Sequence, residues 1–519
     1  LNMSNQIVKN LTFGEKAKNN VFKGIEKLTK AVSSTLGASG KCVLLENELG
    51  KPVITKDGVT VANSITLRDP IENMGATLLK EAARQTVKEA GDGTTTATVL
   101  AHSILLEAYA TSNSGSREMK EGIESATKKV IDYLEKLAVP VEGDMVNHVA
   151  TISSNNDKEL GNVIAEAFKQ VGKNGVVTME VSNDSETSYE VINGAAIDKP
   201  LKNFHFITDE SKKEAVLENP LVLLVENKIE NIRKIQSVLE YVIKNNEPLL
   251  IIGEADEQVV SALAMNKKKG NIKVNIIDTP DFGIYRKEKL QDIALLTGAT
   301  VVNEDLGDDL DMIEVEMLGK CLKSITNDQE TIIQVGDTSI KVQEVIDSIQ
   351  DDIKKETLPG KLNRLEKRLG LLSCKVAVIK VGASSEVELK EKQDRVEDAM
   401  CATKAAIKEG IVPGGGIALL NASTYVKPSN DNEKVLLEAI KAPYLTILKN
   451  AGLEEVYPKG KGKGINVVTG KDVNMIKSGI IDPLLVTKSA LKNAASVATT
   501  ILSTDCVINN LRVEDESNR

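Results

Sequence analysis

"AGDGTTTATVL", residues 90–100, decides how the rest of the chain is read. An aspartate sits between two glycines, three threonines follow, and the text runs directly into an apolar helix. Glycine lets backbone approach a ligand closely, and a helix start leaves N–H groups and a positive dipole end pointing outward. An anion, most often phosphate, suits that arrangement. The plain alternative is a helix cap, with Asp92 or Thr94 accepting from the first turn's N–H groups. Capping needs neither glycine on both sides nor three consecutive β-branched hydroxyls, which are mediocre helix formers whose oxygens suit phosphate. On the phosphate reading, Asp92 is a hard oxygen ligand for Mg2+, which takes one or two carboxylates together with substrate phosphates.

The bulk composition narrows the remaining classes. At 519 residues the chain exceeds one hydrophobic core, and about 150 residues per domain predicts roughly three domains. It is 41% hydrophobic and 27% charged, which fits a soluble globular fold. No apolar run nears the roughly 18 residues that span a bilayer, so a membrane partner is not expected. With 65 basic and 75 acidic side chains, the net charge of −10 has the wrong sign for binding nucleic acid. Trp is absent and aromatics make up 3%, which disfavours base-stacking platforms and sugar clefts. Cys42, Cys321, Cys374, Cys401 and Cys506 lie far apart without a CxxC, so reduced thiols are expected rather than disulfides or zinc. His102, His148 and His205 are too scattered to suggest a metal cluster. The opening "LNMSNQIVKNLTF" lacks a basic-then-apolar leader pattern, so a cytoplasmic protein is expected, in the host cytoplasm if the chain is viral.

The hydrophobic period changes along the chain. "NVFKGIEKLTKAVSSTLG", "MGATLLKEAARQTVKEAG" and "TATVLAHSILLEAYATS" read as helices, and the style returns near the other end in "ALLNASTYV", "VLLEAIKAPYLTILKNAG" and "VTKSALKNAASVATTIL". Between them, "PLVLLVENK", "PLLIIGE" and "IKVNIIDTP" read as short strands alternating with the helices "NIRKIQSVLEYVIKN" and "EQVVSALAMNKKKG". That alternation predicts an α/β layer. "VQEVIDSIQDDIKKETLPGKLNRLEKRLGLL" reads as two packed helices around a Pro-Gly break. Helical flanks around a different centre predict a discontinuous domain with others inserted into it.

Four further segments read as pieces of a nucleotide site: "STLGASGK" (34–41), "ITKDGVTV" (54–61), "EGIVPGGGIALL" (409–420) and "SGIIDPLLV" (478–486). Each alone is only a Gly-rich turn; together they gain weight. For "KDG" the plain reading is a hairpin turn between "PVIT" and "VTVA", and such a turn can still present Asp57 to a site.

In this order, "TLG", "TKDGV", "ENMGA", "AGDGTTTATVLA", "TIS", "FGIYRKEKLQDIALLTG", "AVIKVGA", "RVEDA", "GGGIAL" and "GIIDP" resemble the group I chaperonins, the GroEL-like 60 kDa heat-shock family, over residues 13–505. The resemblance implies a multidomain, α-rich chaperonin fold with α/β parts. A helical equatorial ATPase domain would come from both ends (1–138 and 409–519). A small α/β intermediate domain would have two segments (139–192 and 377–408), with an inserted α/β apical domain (193–376). It implies an ATPase that uses ATP and Mg2+, with K+ as an accompanying ion, and captures non-native client proteins in a seven-membered homo-oligomeric ring.

Carried over by position, Thr35, Leu36, Gly37, Lys56, Gly91, Ile152 and Ser153 would line the nucleotide. Asp92, Gly93, Thr94, Thr95 and Thr96 would meet phosphates and Mg2+, with Asp92 the metal ligand. Gly415, Asn466, Ile480 and Asp482 would surround the adenosine. Asp398 matches the catalytic aspartate of a movable intermediate domain, and Asp57 its helper. Without the resemblance, Asp398 reads as a solvated residue on the charged helix "EKQDRVEDAM".

Leu201, His205, Phe206, Gln236, Leu239, Val260, Ala264 and Met265 align with the apolar rim that holds clients and a GroES-like co-chaperonin; on the plain reading Val260 and Met265 are a helix's buried face. Gln236 replaces an expected leucine and His205 a tyrosine, which makes the rim more polar and argues for a weakly bound or absent lid. Gly194 and Lys375 fall at the upper hinge, where two glycines are expected, and Pro140 and Gly410 at the lower. Asp157 with Arg395, and Glu386 with Lys199, match pairs that switch during the cycle. Leu445 replaces an arginine where rings stack, and the tail "NNLRVEDESNR" lacks the Gly-Gly-Met ending, so a single ring stands beside a double one. Two rival readings are a holdase ring without productive cycling and a monomeric phosphotransferase built on the "GDGTTT" loop.

Overall fold

The computed structural model describes residues 9–46, 50–111, 115–141, 143–154, 157–172, 175–182, 184–210, 212–281, 283–304, 307–308, 310–336, 340–356 and 358–510. In chain order the first part carries β1 (Lys9–Phe13), α1 (Gly14–Ser33), β2 (Val43–Glu46), β3 (Pro52–Thr55), α2 (Gly58–Ser64), α3 (Pro70–Ala90), α4 (Thr94–Ala110), α5 (Ser116–Leu137), α6 (Met145–Ser153) and α7 (Lys158–Val171). The middle carries β4 (Val176–Val181), β5 (Ser188–Ile197), β6 (Ala215–Glu218), β7 (Leu221–Val225), α8 (Gln236–Asn245), β8 (Leu249–Ile252), α9 (Glu257–Lys268), β9 (Val274–Ile277) and α10 (Ile284–Thr297). It continues through β10 (Val301–Val302), β11 (Gly319–Lys320), β12 (Lys323–Thr326), β13 (Thr331–Val335), α11 (Ile340–Lys355), α12 (Pro359–Leu372) and β14 (Lys375–Val381). The last part carries α13 (Glu386–Glu409), β15 (Ile411–Pro413), α14 (Ile417–Tyr425), α15 (Asp431–Ala439), α16 (Ala442–Asn450), β16 (Lys463–Asn466), β17 (Lys471–Asn474), β18 (Ile481–Pro483), α17 (Leu484–Leu502) and β19 (Cys506–Asn510). Two compact units result: residues 1–165 with 391–519, and residues 166–390.

The first unit is a helical body drawn from both chain ends. Along α1, Ala17, Val21, Ile25, Leu28 and Val32 recur at helical spacing and are buried, so one face of the helix enters the core. It crosses α3 backbone to backbone: a methyl on Gly24 would fall 1.8 Å from the Glu72 carbonyl oxygen, and one on Gly75 2.2 Å from that of Val21. Helix α4 is apolar nearly all round and lies in the centre, packed by α1, α3 and α15–α17. Lys129 of α5 pairs with the buried Glu433 of α15 at 2.7 Å, tying the early helices to the late ones. Strands β1 and β19 pair antiparallel, Lys9 opposite Asn510.

The second unit is α/β. The parallel path β10-β7-β8-β9 carries β11 antiparallel on β7, and its strands β7, β8 and β9 are the three expected apolar runs. Leu221, Leu223 and Val225 face one cluster with α8 and α9, while Val222 and Leu224 face another with α10, so the sheet is covered on both sides. A second, six-stranded sheet runs β4-β14-β5-β13-β12-β6. The expected junctions at 192/193 and 376/377 fall inside β5 and β14 of that sheet. The two helices around the Pro-Gly break are α11 and α12, which share a cluster of Val342, Ile346, Ile349 and Leu372. Arg368 of α12 makes a two-pronged pair with the fully buried Asp292 of α10. No helix among the described residues is long and apolar enough to cross a membrane.

Candidate functional site

The "GDGTTT" stretch forms the junction between α3 and α4. Gly91 closes α3 at φ 76° and Gly93 opens α4 at φ 100°, two left-handed positions that favour glycine. Neither has room for a side chain, since a methyl on Gly93 would sit 2.9 Å from Val486 Cγ1 and one on Gly91 2.7 Å from Cys401 Cβ. No side chain caps α4. Asp92 accepts instead from the neighbouring Gly93 N–H, so the cap alternative fails and the first-turn N–H groups stay available to an anion. The Thr94 hydroxyl is buried without a hydrogen-bond partner, and a phosphate oxygen would satisfy it.

Carboxylates converge on this junction. Burial pushes Asp92 above its ordinary range, the nearby Asp57 adds to the rise, and the Gly93 N–H opposes it. Asp398 is pushed up to about 7, first by burial and then by Asp92, Asp57, Glu397 and Asp394. Asp482 also reaches about 7, through burial and Asp92, against the N–H groups of Gly415 and Gly416. Asp92 and Asp398 keep solvent-exposed surface although protein atoms crowd their carboxyls. Mutually repelling acids beside free N–H donors fit a cation together with a phosphate. Among the described residues, no three His, Cys, Asp or Glu side chains gather to hold a metal by themselves. Asp92 completed by phosphate oxygens would make a donor set that fits Mg2+.

Local structure explains how each group is presented. Asp57 caps α2, accepting from Val59 N–H at 3.0 Å and Thr60 N–H at 2.8 Å. The hairpin expected at "KDG" is thus corrected: "PVIT" is β3, paired with β2, whereas "VTVA" is helical. The cap overrides the β-preference of that run. A methyl on Gly58 would lie 2.2 Å from Thr95 Oγ1, so the start of α2 rests against α4. Asp398 reaches the junction because α13 is seated on Gly91 through Cys401, one turn further along the helix.

The remaining expected positions have contacts of their own, and of these Gly415 reaches Asp482 through its N–H. Thr35 is buried and donates to Val32 O, while Asn450 of α16 donates to Ser33 O and Leu36 O, both at 2.9 Å, holding the "TLG" loop. Gly37 is left-handed at φ 86° beside Ile447. Gly415 lies against Met475 and Ile480, and Ile152 meets Gly479 near the end of α6, which closes on Ser153. Asn466 spends its side-chain oxygen on Val468 and Thr469 N–H groups in the β16–β17 turn. Lys56 is exposed.

The sequence model of the TCP-1/cpn60 chaperonin family matches residues 28–512. The chain belongs to that family. It is similar in fold to the chaperonin gp146 from the bacteriophage EL 2 (Pseudomonas aeruginosa), determined in the presence of ATP-BeFx. Crystal form II matches at TM-score 0.74 and 23% identity, covering 97% of this chain and 99% of that one. Crystal form I matches at TM-score 0.65 and 22% identity, with the same coverage. The protein is thus a divergent chaperonin, with the multidomain, α-rich fold and α/β parts that its motifs imply.

In this chaperonin the expected rim positions split. His205, Gln236 and Met265 are exposed, and Leu201 and Leu239 are half-buried. Phe206, Val260 and Ala264 are 0%, 9% and 1% exposed, so they belong to the core and not to a surface rim. The physical reason lies in the short 3-10 turn Phe204–Phe206, capped by Asn203, which accepts from His205 N–H. Residues two apart on such a turn point in different directions. Phe206 enters the core, and Phe204, which the alignment did not single out, is 81% exposed. Of the two plain alternatives for α9, Val260 obeys the buried-face reading and Met265 does not.

The hinge and switch positions are equally specific. Gly410 is left-handed at φ 87°, and a methyl there would meet Val139 O at 2.7 Å, next to Pro140. Gly194 pairs with Gln334 and Lys375 with Asn193 inside the six-stranded sheet, neither with positive φ. A methyl on Gly194 would meet Ile333 O at 2.5 Å, so this glycine serves close packing. Arg395 Nη1 lies 3.6 Å from Asp157 Oδ2. The Glu386 side chain lies outside the described residues; Lys199 lines a cavity of about 130 Å³ with Asp281 and Lys289. Leu445 is half-buried against Tyr444 and Leu448, and residues 511–519 of the tail lie outside the described residues. Sequence reasoning missed Cys401, Asn450 and Phe204; only the Phe-His-Phe spacing of the last offered a signal, since both rings of a short turn rarely share one side.

Proposed function

We propose that this chaperonin hydrolyses ATP and couples the reaction to capture and release of non-native proteins in a homo-oligomeric, seven-membered ring. The observation that carries the reading is the uncapped start of α4, facing Asp92 while Asp398 is brought in by α13. The N–H groups of Thr94, Thr95 and Thr96 would hold phosphate oxygens, with Asp92 as the protein ligand of Mg2+. Bound there, Mg2+ supplies neutralising charge for the phosphates. Asp398 would orient the attacking water and receive its proton, which its raised affinity for protons favours. Gly415, Ile480 and Asp482 would border the nucleoside, and Asp57 would hold the start of α2 against Thr95. Hydrolysis then depends on α13 keeping its seat, so chemistry can time a conformational cycle. The three-domain division, the Pro140–Gly410 hinge and the Asp157–Arg395 switch belong to this proposal, as does the departure from the co-chaperonin-binding pattern at Gln236 and His205.

A holdase reading has one observation in its favour: Gly194 and Lys375 lie in a continuous sheet, without the left-handed conformations that mark a glycine hinge. Asp398→Ala is expected to keep ATP binding and to slow turnover severely; unchanged steady-state hydrolysis removes the catalytic assignment. ATP-dependent recovery of a denatured enzyme, rather than bare suppression of its aggregation, separates the folding chamber from the holdase.

A further inference from the structure

The exposed side of the Phe204–Phe206 turn departs from the rim that alignment predicts, and its surroundings carry a charge signature. Phe206 is locked into the core with Val259, Leu263 and Ala264, and Lys267 donates to Ile207 O, so α9 and the turn form one rigid piece. Backbone bonds from Phe206 N–H to Asn203 O at 3.1 Å and from Ile207 N–H to Phe204 O at 3.1 Å complete the turn. Phe204 is therefore an ordered display of a large apolar ring in water, on a turn that packs against α9, where Met265 is half-exposed. A pre-ordered anchor of this kind loses little freedom on binding.

The border is basic in a chain whose net charge is −10. Lys268 and Lys269 are exposed at the end of α9, and Lys212 and Lys213 are exposed on the turn that follows the Phe204 segment. Glu210 on that turn is close enough to Lys267 to act on it, which brings the turn beside α9. Asp209 and Glu214 are half-buried and bridge each other through their backbones, while Glu210 is exposed on the turn beside the exposed Lys212 and Lys213.

We infer that Phe204, in place of the buried Phe206, anchors apolar residues of a client, and that the lysine border selects segments whose apolar residues are flanked by Asp or Glu. This rests on the client-binding reading above and names the chemistry of its ligand. The border supplies long-range attraction and discrimination against basic segments, while the ring supplies apolar contact.

The test uses two fluorescent extended peptides with the same apolar centre, one flanked by Asp and Glu and one by Lys, titrated into full-length nucleotide-free protein at low and high salt. The acidic-flanked peptide should bind about tenfold tighter at low salt, the gap narrowing as salt screens the border. Phe204→Ser should weaken both peptides about tenfold and Phe204→Leu much less. Lys268→Glu with Lys269→Glu should erase the preference while leaving basal ATP hydrolysis unchanged. Equal affinities in the parent, or parent-like binding by Phe204→Ser, overturn the inference. If the parent binds neither peptide yet suppresses aggregation of a denatured protein, this inference alone falls. If it does neither, the client-binding reading falls with it.

Discussion

Substituting Gly91 by alanine probes whether α13 must sit where it does. The new methyl would stand 2.7 Å from Cys401 Cβ and 2.9 Å from its Sγ, whereas ordinary contact begins at 3.4 Å, so the helix must retreat by about 0.7 Å. The left-handed backbone adds roughly 1 kcal/mol of strain. Gly298→Ala isolates that strain, because Gly298 has φ 72° and nothing within 4 Å of an added methyl. If α13 stays, overlap costs a further ~1–3 kcal/mol and the variant melts well below the control. If α13 yields, stability tracks the control while Asp398 moves, and displacement approaching an ångström costs up to about 10²-fold in rate. The expected result is the second: ATP affinity near parental, turnover down roughly ten- to a hundredfold, and partial rescue by adding Cys401→Gly. Steady-state hydrolysis, nucleotide titration and thermal unfolding of both variants suffice. Parental turnover in Gly91→Ala at control-like stability would refute the link between this seat and catalysis.

Other expectations follow from the same geometry. Asp482 rises from its ordinary 3.8 to about 7 in the folded chain, so folding retains a proton between those values. The stability this contributes is full below about pH 4 and lost as pH climbs through about 7, so nucleotide-free Asp482→Asn should melt above the parent near pH 8 and with it near pH 4; superimposable curves would contradict this. Phe206→Ala should cost ~3–5 kcal/mol in the stability of the α/β unit, and Phe204→Ala within about 0.5 kcal/mol, by chemical denaturation. Asp57→Ala should lower stability by about 1 kcal/mol through loss of the α2 cap and also slow hydrolysis, a combination that Thr60→Val, sparing the carboxylate, should not reproduce.

Much of the site was legible because its signals are local. Gly-Asp-Gly ahead of a helix reads directly as a close-approach turn at a helix start, and the apolar runs at 220–280 alternating with helices read directly as an α/β layer. Where the outcome depended on distant partners, local pattern misled. The β-branched "VTVA" became helical because Asp57 caps it and Gly58 fits against Thr95. The alignment could mark Phe206 but could not tell which of two nearby rings would face α9. The Gly91–Cys401 contact joins residues far apart in the chain and left no trace in either segment.

Lys9 lies opposite Asn510, and the helical body is assembled from residues on both sides of the long insert. During synthesis, α1–α5 must wait while some 280 residues pass before α14 emerges, counting from Leu137 to Ile417. At about 5–20 residues per second that interval lasts on the order of tens of seconds, with apolar helix faces uncovered throughout. The machine proposed to shelter unfinished chains is thus itself a chain that stays unfinished until α14–α17 and β19 have left the ribosome.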